Sequence, residues 1–402
     1  NFINWSALHN SVLQSDISMR QKLILVGPTY PYRGGNALFM SYLYNALTAE
    51  FDVEFINYRV LYPTLLFPGT TQYDESEEHF DRVPSKRMLN SMNPITWAKT
   101  ASYINSKNPD LIVVDWWQPY FGPCLRGVTS LIKKELKSKI LFITENVISH
   151  EARWIDGFLT RMGLKHADRF LALSKSVVET LRPMAKGRKI YRSELPVFGH
   201  YSKDEALDIA AEKEKLGFER DATVLLFFGY VRNYKGLDIL IEAFAEIEEK
   251  YPDYRLLIAG EFYDNPQPYL QLIEKLGIAK KVKVINKFIP NEAVAAYFTL
   301  SEVVVLPYRS ATQSGILNIA VGYEKPVVIT NVGGLSEFVE DEKTGIFVPS
   351  ADKLEIVKGI ERYFSIKDKV DFAGNIRARN EQNSFGGIVD TFHEILADGK
   401  AS

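Results

Sequence analysis

Five short segments hold the residue types that could handle a phosphorylated or sugar ligand. Residues 27–35 read GPTYPYRGG, with Gly34 and Gly35 just before a helix-patterned stretch. Adjacent glycines let the backbone approach a ligand, and a helix N-terminus favours an anion. Residues 228–236 read FGYVRNYKG. Arg232 and Lys235 stand three apart there, so both can address one pocket at a helix start. A guanidinium fork and an ammonium point charge together suit a diphosphate; the same residues could also form a solvated basic turn. Residues 307–319 read PYRSATQSGILNI. Thr312, Gln313 and Ser314 are small and polar, and the exposed N–H groups of Gly315 and Ile316 could receive a phosphate or sugar oxygen. Ser314 is equally placed to cap its own helix. Asn318, one turn on, is a further candidate. Residues 144–151 read TENVISHE, which sets Glu145, His150 and Glu151 after an apolar run. A histidine beside carboxylates can be oriented or charged by them, or it can be structural. Residues 115–120 read DWWQPY. The two tryptophans offer an apolar platform or core packing, and at most one faces outward, because neighbours in an extended segment point opposite ways.

The surrounding pattern says which elements must position these residues. Short β-rich runs at 22–26, 51–57, 110–115, 139–144 and 169–173 alternate with helical spacing at 36–48, 154–163 and 175–181. The run at 110–115 is continuously apolar between two acids, as in a strand buried on both faces. The pattern pauses at 193–204 and resumes. Strands at 224–228, 254–259 and 282–285 alternate with helices at 236–250, 267–276 and 291–299, and the series continues at 303–306, 315–323, 326–330 and 335–339. Alternation of this kind predicts parallel sheets covered by helices on both faces. Two such halves predict an α/β chain of two facing Rossmann-like domains. Ligands of such sheets bind beyond the carboxyl ends of the strands, where the five segments fall. The expected division is an extension over 1–18, a first domain over 19–198, a second over 199–385, and a helix over 386–402 that returns to the first domain.

Composition narrows the classes. The chain has 402 residues, and 48 Lys plus Arg against 50 Asp plus Glu leave a formal net charge of −2, which gives no global argument for nucleic acid. Cys124 is the one cysteine, so a disulfide framework and a multi-cysteine metal site are excluded. A reducing compartment and a cytoplasmic location are expected. No apolar run approaches the roughly 18 residues of a membrane span. The basic stretch KKELKSK at 133–139 reads either as a solvated helix end or as a point of peripheral membrane contact. The first glycine loop is not G-x-G-x-x-G, which disfavours a dehydrogenase. No His-x-x-x-His spacing points to a metal.

Taken together the segments resemble the retaining glycosyltransferases of family 4, which have the GT-B fold. The likeness runs from about residue 22 to 348. Its most specific blocks are FFGYVRNYKGLDILIEAF, RLLIAGE, VVVLPYRSATQSGILNIA and KPVVITNVGGLSEFVEDEKTGIFVP, in that order. The resemblance implies a nucleotide-sugar donor, UDP- or GDP-linked, held mainly by the second domain, and a glycan, lipid or small-molecule acceptor held by the first. It implies phosphate contacts from Lys235 and Arg232, base contacts near Lys287, Phe288 and Ile289, and donor contacts at Gly34, Gly35, Gly229 and the segment from Thr312 to Ile316. His150 is implied near the transferred sugar, and Asp115, Trp117 and Glu145 are assigned to the acceptor. Transfer with retention would use no protein nucleophile, no metal and no further cofactor; the leaving diphosphate would assist the incoming hydroxyl on the same face. Two departures stand out. Many family members carry glutamates eight apart in the third segment, where this chain has Ala311 and Ile319, and its TQSG version reads as a branch of the family. The arginine that usually follows the glycine of the second segment is Tyr230 here. The alternatives are a degenerate sugar-nucleotide-binding protein and a sugar-nucleotide epimerase of the same fold.

Overall fold

A computed structural model describes residues 20–63, 67, 69–77, 82–147, 154–198 and 207–399. The extension expected over 1–18 lies outside them, as do His150 and Glu151. Seven parallel strands form the first sheet: β1 (Lys22–Val26), β2 (Asp52–Val60), β3 (Lys86–Asn90), β4 (Leu111–Trp116), β5 (Ile140–Thr144), β6 (Arg169–Ala172) and β7 (Ile190–Arg192). Their order is β3-β2-β1-β4-β5-β6-β7. The second sheet has six parallel strands: β8 (Thr223–Phe228), β9 (Tyr254–Ala259), β10 (Val282–Ile285), β11 (Val303–Leu306), β12 (Val327–Thr330) and β13 (Gly345–Val348). Their order is β10-β9-β8-β11-β12-β13. The chain order reverses between β1 and β4 and again between β8 and β11. A crevice opens at such switch points beyond the carboxyl ends of the strands.

The central strands are apolar on both faces, and all six residues of β4 and of β9 are buried. Helices therefore cover each sheet twice. The helices of the first domain are α1 (Gly35–Thr48), α2 (Pro94–Lys107), α3 (Gly122–Ser130), α4 (Trp154–Gly163) and α5 (Lys175–Ala185). Those of the second are α6 (Ile209–Lys215), α7 (Leu237–Lys250), α8 (Gln267–Lys275), α9 (Asn291–Leu300), α10 (Gly315–Gly322), α11 (Lys353–Ile366) and α12 (Phe372–Gln382). The last helix, α13 (Phe385–Asp398), leaves the second domain. Its Ile388, Phe392 and Ile395 join the core formed by Leu43 and Leu47 of α1 and by Leu25 of β1. Arg169 Nη1 of β6 donates to the Ile395 carbonyl at 2.9 Å.

The elements that the periodicity missed are β3, β7, β13 and helices α2, α3, α6, α11 and α12. The strand β3 reads KRMLN and buries only Leu89, so it lacks an apolar run. The strand β7 has three residues at a sheet edge. The segment expected to continue the series at 335–339 is a single 3-10 turn, Leu335–Glu337. No helix among the described residues is long and apolar enough to cross a membrane.

Candidate functional site

A cleft of about 780 Å³ lies between the domains. Its first-domain wall comes from the β1–α1 loop (Arg33 to Asn36), from Trp117 after β4 and from Glu145 and Asn146 after β5. Its second-domain wall comes from Phe228 to Tyr230 after β8, from Tyr234 and Lys235, from Gly260 and Glu261 after β9, from Phe288 and Ile289, and from Gln313 to Ile316 at the start of α10. Both switch points thus open onto one space.

Lys235 ends a 3-10 turn before α7 and is 7% exposed. No carboxylate among the described residues pairs with it, and its Nζ lies 5.5 Å from the centre of the Tyr308 ring. Burial, and then the neighbouring charge of Arg232, lower its pKa to about 7. A buried ammonium without a counter-ion is costly, and an anion in the cleft would relieve that cost. Gly229 sits beside it at φ 97°. A Cβ there would stand 2.6 Å from Ile316 Cδ1, so glycine is what allows the turn to lie against α10. Ser314 caps α10 by accepting the Leu317 N–H at 3.2 Å. The N–H groups of Gly315 and Ile316 precede the first intrahelical bonds, and both residues line the cleft. On the opposite wall α1 starts at Gly34 without a side-chain cap.

The acidic residues of the first wall are a different environment. Asp115, one residue before the end of β4, is fully buried, and neither of its carboxylate oxygens has a hydrogen-bond partner among the described residues. Burial and then the charge of Glu145 raise its pKa well above the ordinary carboxylate range. Burial raises Glu145 to about 8, and its Oε1 also lacks a partner. Asn146 Oδ1 beside it is buried and unpartnered too. The wall thus offers carboxyl and amide groups that a hydroxylated ligand could bond.

The structure sorts the expected residues. Gly34, Gly35, Gly229, Lys235, Phe288, Ile289, Gln313, Ser314, Gly315, Ile316, Trp117 and Glu145 all line the cleft. Four others stand off its walls. Asp115 lies buried behind Glu145, and Lys287 is exposed. Arg232 stacks on Tyr263 with its guanidinium 5.0 Å from the ring centre, near enough to lower the pKa of Lys235. The Thr312 carbonyl packs against Gly334, where a Cβ would approach it to 2.2 Å. Trp116 is fully buried, which leaves Trp117 to face the cleft. His150 lies outside the described residues. Asn318 fastens the interdomain segment: its Nδ2 donates to the Pro196 carbonyl at 2.7 Å and its Oδ1 accepts the Phe198 N–H at 3.2 Å. Sequence reasoning passed over Arg33 and Glu261, although both stand in segments already singled out, one before the glycine pair and the other directly after Gly260. Among the described residues no group of three His, Cys, Asp or Glu side chains is placed to hold a metal ion.

Residues 208–380 match the sequence profile of the family Glycosyl transferases group 1. An α-D-kanosaminyltransferase of Streptomyces kanamyceticus is 27% identical over 247 residues, covering 56% of this chain and 63% of that protein. A D-inositol 3-phosphate glycosyltransferase of Corynebacterium aurimucosum is 32% identical over 192 residues, covering 46% of this chain and 45% of that one. The alignments thus span less than two thirds of these relatives. The solved structure of Anabaena HepE in complex with UDP-glucose superposes with a TM-score of 0.71 at 18% identity, covering 94% of this chain and 99% of that one. The second domain therefore carries the sequence pattern of the group 1 glycosyl transferases, on a chain whose two domains take the GT-B fold.

Proposed function

We propose that this chain is a retaining glycosyltransferase that moves a sugar from a nucleoside-diphosphate sugar to a hydroxyl of a glycan, lipid or small-molecule acceptor, without a metal ion. The observation that carries the reading is the buried, counter-ion-free Lys235, set with Gly229 and the N-terminus of α10 across the cleft from the Gly34–Gly35 loop. That arrangement concentrates positive charge and N–H dipoles on one small volume. A departing diphosphate needs such stabilisation, and preorganised donors in a site shielded from water supply it. The names of the relatives and the UDP-glucose bound by HepE support a nucleotide-sugar donor. The orphaned acceptor groups of Glu145 and Asn146, next to Trp117, support an acceptor hydroxyl on the first wall. In this reading the diphosphate oxygen takes the proton of the incoming hydroxyl, and the protein supplies no nucleophile. The TQSG segment takes the place of the paired glutamates: Ser314 shapes the start of α10 and the N–H groups of Gly315 and Ile316 meet the donor.

The test is a thermal-shift screen with UDP, GDP, ADP and their common sugars, each with and without EDTA, on the wild type and on Lys235→Ala. A ligand that binds only the folded state raises the melting temperature by mass action. The expected outcome is a shift with one nucleotide family, unchanged by EDTA and lost in Lys235→Ala. No shift with any nucleotide would overturn the donor assignment, and a shift that EDTA abolishes would overturn metal independence.

A further inference from the structure

The basic stretch at 133–139 takes no part in the cleft, and the fold gives it another setting. It forms a 3-10 turn, Lys134–Lys139, directly before β5. A second 3-10 turn, Leu164–His166, stands before β6 and packs against α3. The strands β5 and β6 are neighbours, so both turns lie at the same edge of the sheet, at the amino ends of the strands. The cleft opens beyond the carboxyl ends. The turns bring Lys137, Lys165 and His166 together with Arg126 of α3, and none of the four lines the cleft.

The turn that carries His166 is firmly held. Arg188 Nη1 donates to the Leu164 and Ala167 carbonyls at 2.9 and 3.0 Å. A Cβ on Gly163 would stand 2.3 Å from the Trp116 ring, so the chain enters the turn in close contact with the core. Burial, and then the charges of Arg126, Lys137 and Lys165, lower the pKa of His166 to about 4. No carboxylate among the described residues lies near enough to oppose those charges. Asp168, two positions on, is paired with Arg169 Nε at 2.7 Å. Among the described residues the four side chains have no hydrogen-bond or ion-pair partner. Arg126 Nη1 and His166 Nε2 are enclosed, so part of this charge is screened less than at an open surface. The other guanidinium nitrogens of Arg126 and the Lys137 Nζ are not enclosed, and Lys165 is exposed. A ligand can therefore reach the charged ends from solvent.

We propose that Arg126, Lys137, Lys165 and His166 form a phosphate-binding site at the amino ends of β5 and β6, separate from the cleft. Three segments of the chain assemble positive charge here without a counter-charge, and a phosphate group supplies it. Arg126 offers a planar fork and the lysines offer point charges, a set suited to phosphate oxygens. The neutral His166 ring gains a proton more readily once an anion stands beside the cluster. Lys133 and Lys134, exposed at the start of the same stretch, add to the positive field. A soluble phosphate ester and the headgroup of an anionic lipid share this chemistry. The site stands or falls independently of the nucleotide site in the cleft.

The experiment uses the full chain and two probes. Inorganic phosphate is titrated at neutral pH and constant ionic strength while the ring-proton NMR signal of His166 is followed, the signal being assigned by its loss in His166→Gln. Vesicles of phosphatidylglycerol are compared with vesicles of phosphatidylcholine by co-sedimentation. The expected result is a saturable shift of the His166 signal with phosphate, with affinity about tenfold or more weaker in the double variant Arg126→Gln, Lys137→Gln. That result supports a site for soluble phosphate esters. Binding to phosphatidylglycerol but not to phosphatidylcholine, without a shift in free phosphate and weakened in the double variant, supports the site with a lipid headgroup as its occupant. The absence of both a shift and selective co-sedimentation overturns the proposal. Binding that the double variant leaves intact overturns it as well, and its loss in Lys235→Ala would then place the phosphate in the cleft. If the double variant does not fold, Lys137→Glu carries the test, because that side chain is only half-buried. Loss of binding there supports the site, and retention overturns it.

Discussion

Lys235 is a side chain whose chemistry its surroundings alter strongly. Its ammonium has been moved out of water with no counter-ion among the described residues, and its pKa falls to about 7. A diphosphate favours the charged form, so binding pulls that value back up and takes a proton from the solvent. The sign is fixed by this direction. Above pH 7 the free protein holds a neutral amine that must be charged before the anion is satisfied, so affinity falls as pH rises, by up to about tenfold per unit until the pKa of the complex is reached. Calorimetry at pH 8 in two buffers of different ionisation enthalpy should register uptake of about one proton per nucleotide, since phosphate groups with a second pKa near 6 are already ionised there. At pH 6 the uptake from this group should vanish, and whatever binding Lys235→Ala retains should proceed without uptake at pH 8. Uptake that persists in the variant would move the proton to another group. Asp115 and Glu145 carry the opposite perturbation, since burial raises the pKa of both. Their unpartnered oxygens set the first-domain wall of the cleft apart from an ordinary polar surface.

Elements deliver these side chains through their ends. Each cleft-lining segment follows a parallel strand, and several precede a helix, so strand ends supply side chains and helix starts supply N–H groups. The segment before α10 shows how tightly this is packed. Gly333 has φ 54°, and a Cβ there would stand 1.5 Å from the Ala311 carbonyl oxygen. The loop after β12 therefore holds the 311–314 segment in place by backbone contact. Gly333→Ala combines a left-handed backbone penalty of about 1–2 kcal/mol with a clash that only a loop shift relieves. The expected cost is about 2 kcal/mol or more in urea unfolding, accompanied by weaker nucleotide binding as Ser314 and Gly315 move. Lost stability with unchanged nucleotide affinity would show that the 311–314 segment does not meet the donor. Ser314 belongs to the same scale: its hydroxyl accepts the Leu317 N–H and lies 3.3 Å from the Tyr308 hydroxyl, so it shapes the helix start.

At the scale of the molecule, several connections among the described residues join the domains, one of them the Glu337 carboxylate that accepts the Lys175 and Ser176 N–H groups at the start of α5 at 2.7 and 3.0 Å. The 69–77 stretch of the first domain reaches the second, with Thr70 on Glu261 and Ser76 Oγ accepting the Asn291 N–H at 3.0 Å. The interdomain segment is pinned by Asn318. The chain then returns through α13, whose Phe392 is fully buried among residues of the first domain. A helix from the end of the chain thus completes a core laid down at its beginning. Phe392→Ala should cost about 3–5 kcal/mol in chemical denaturation, the usual range for emptying a buried aromatic position. A loss below 1 kcal/mol would mean that α13 is not docked on the first domain in solution.

The sequence by itself determined the alternation of strand and helix, the two-domain organisation and the segments in which chemistry had to be sought. These follow from signals carried within a few residues: apolar period, glycine pairs, and small polar residues before a helix. It also showed the absence of glutamates at Ala311 and Ile319. The edge strands β3 and β7 escaped because an edge strand need not be apolar on both faces. Tertiary structure alone decided that Trp117 faces the cleft while Trp116 is buried, that Asn318 holds the interdomain segment, and that Thr312 and Lys287 stand off the walls. It alone joined Arg33 to Glu261, which are 228 positions apart in the chain. It also set the charge states of Lys235, Asp115 and Glu145. Desolvation depends on everything packed around a group, and most of that packing comes from distant parts of the chain, where no local pattern records it.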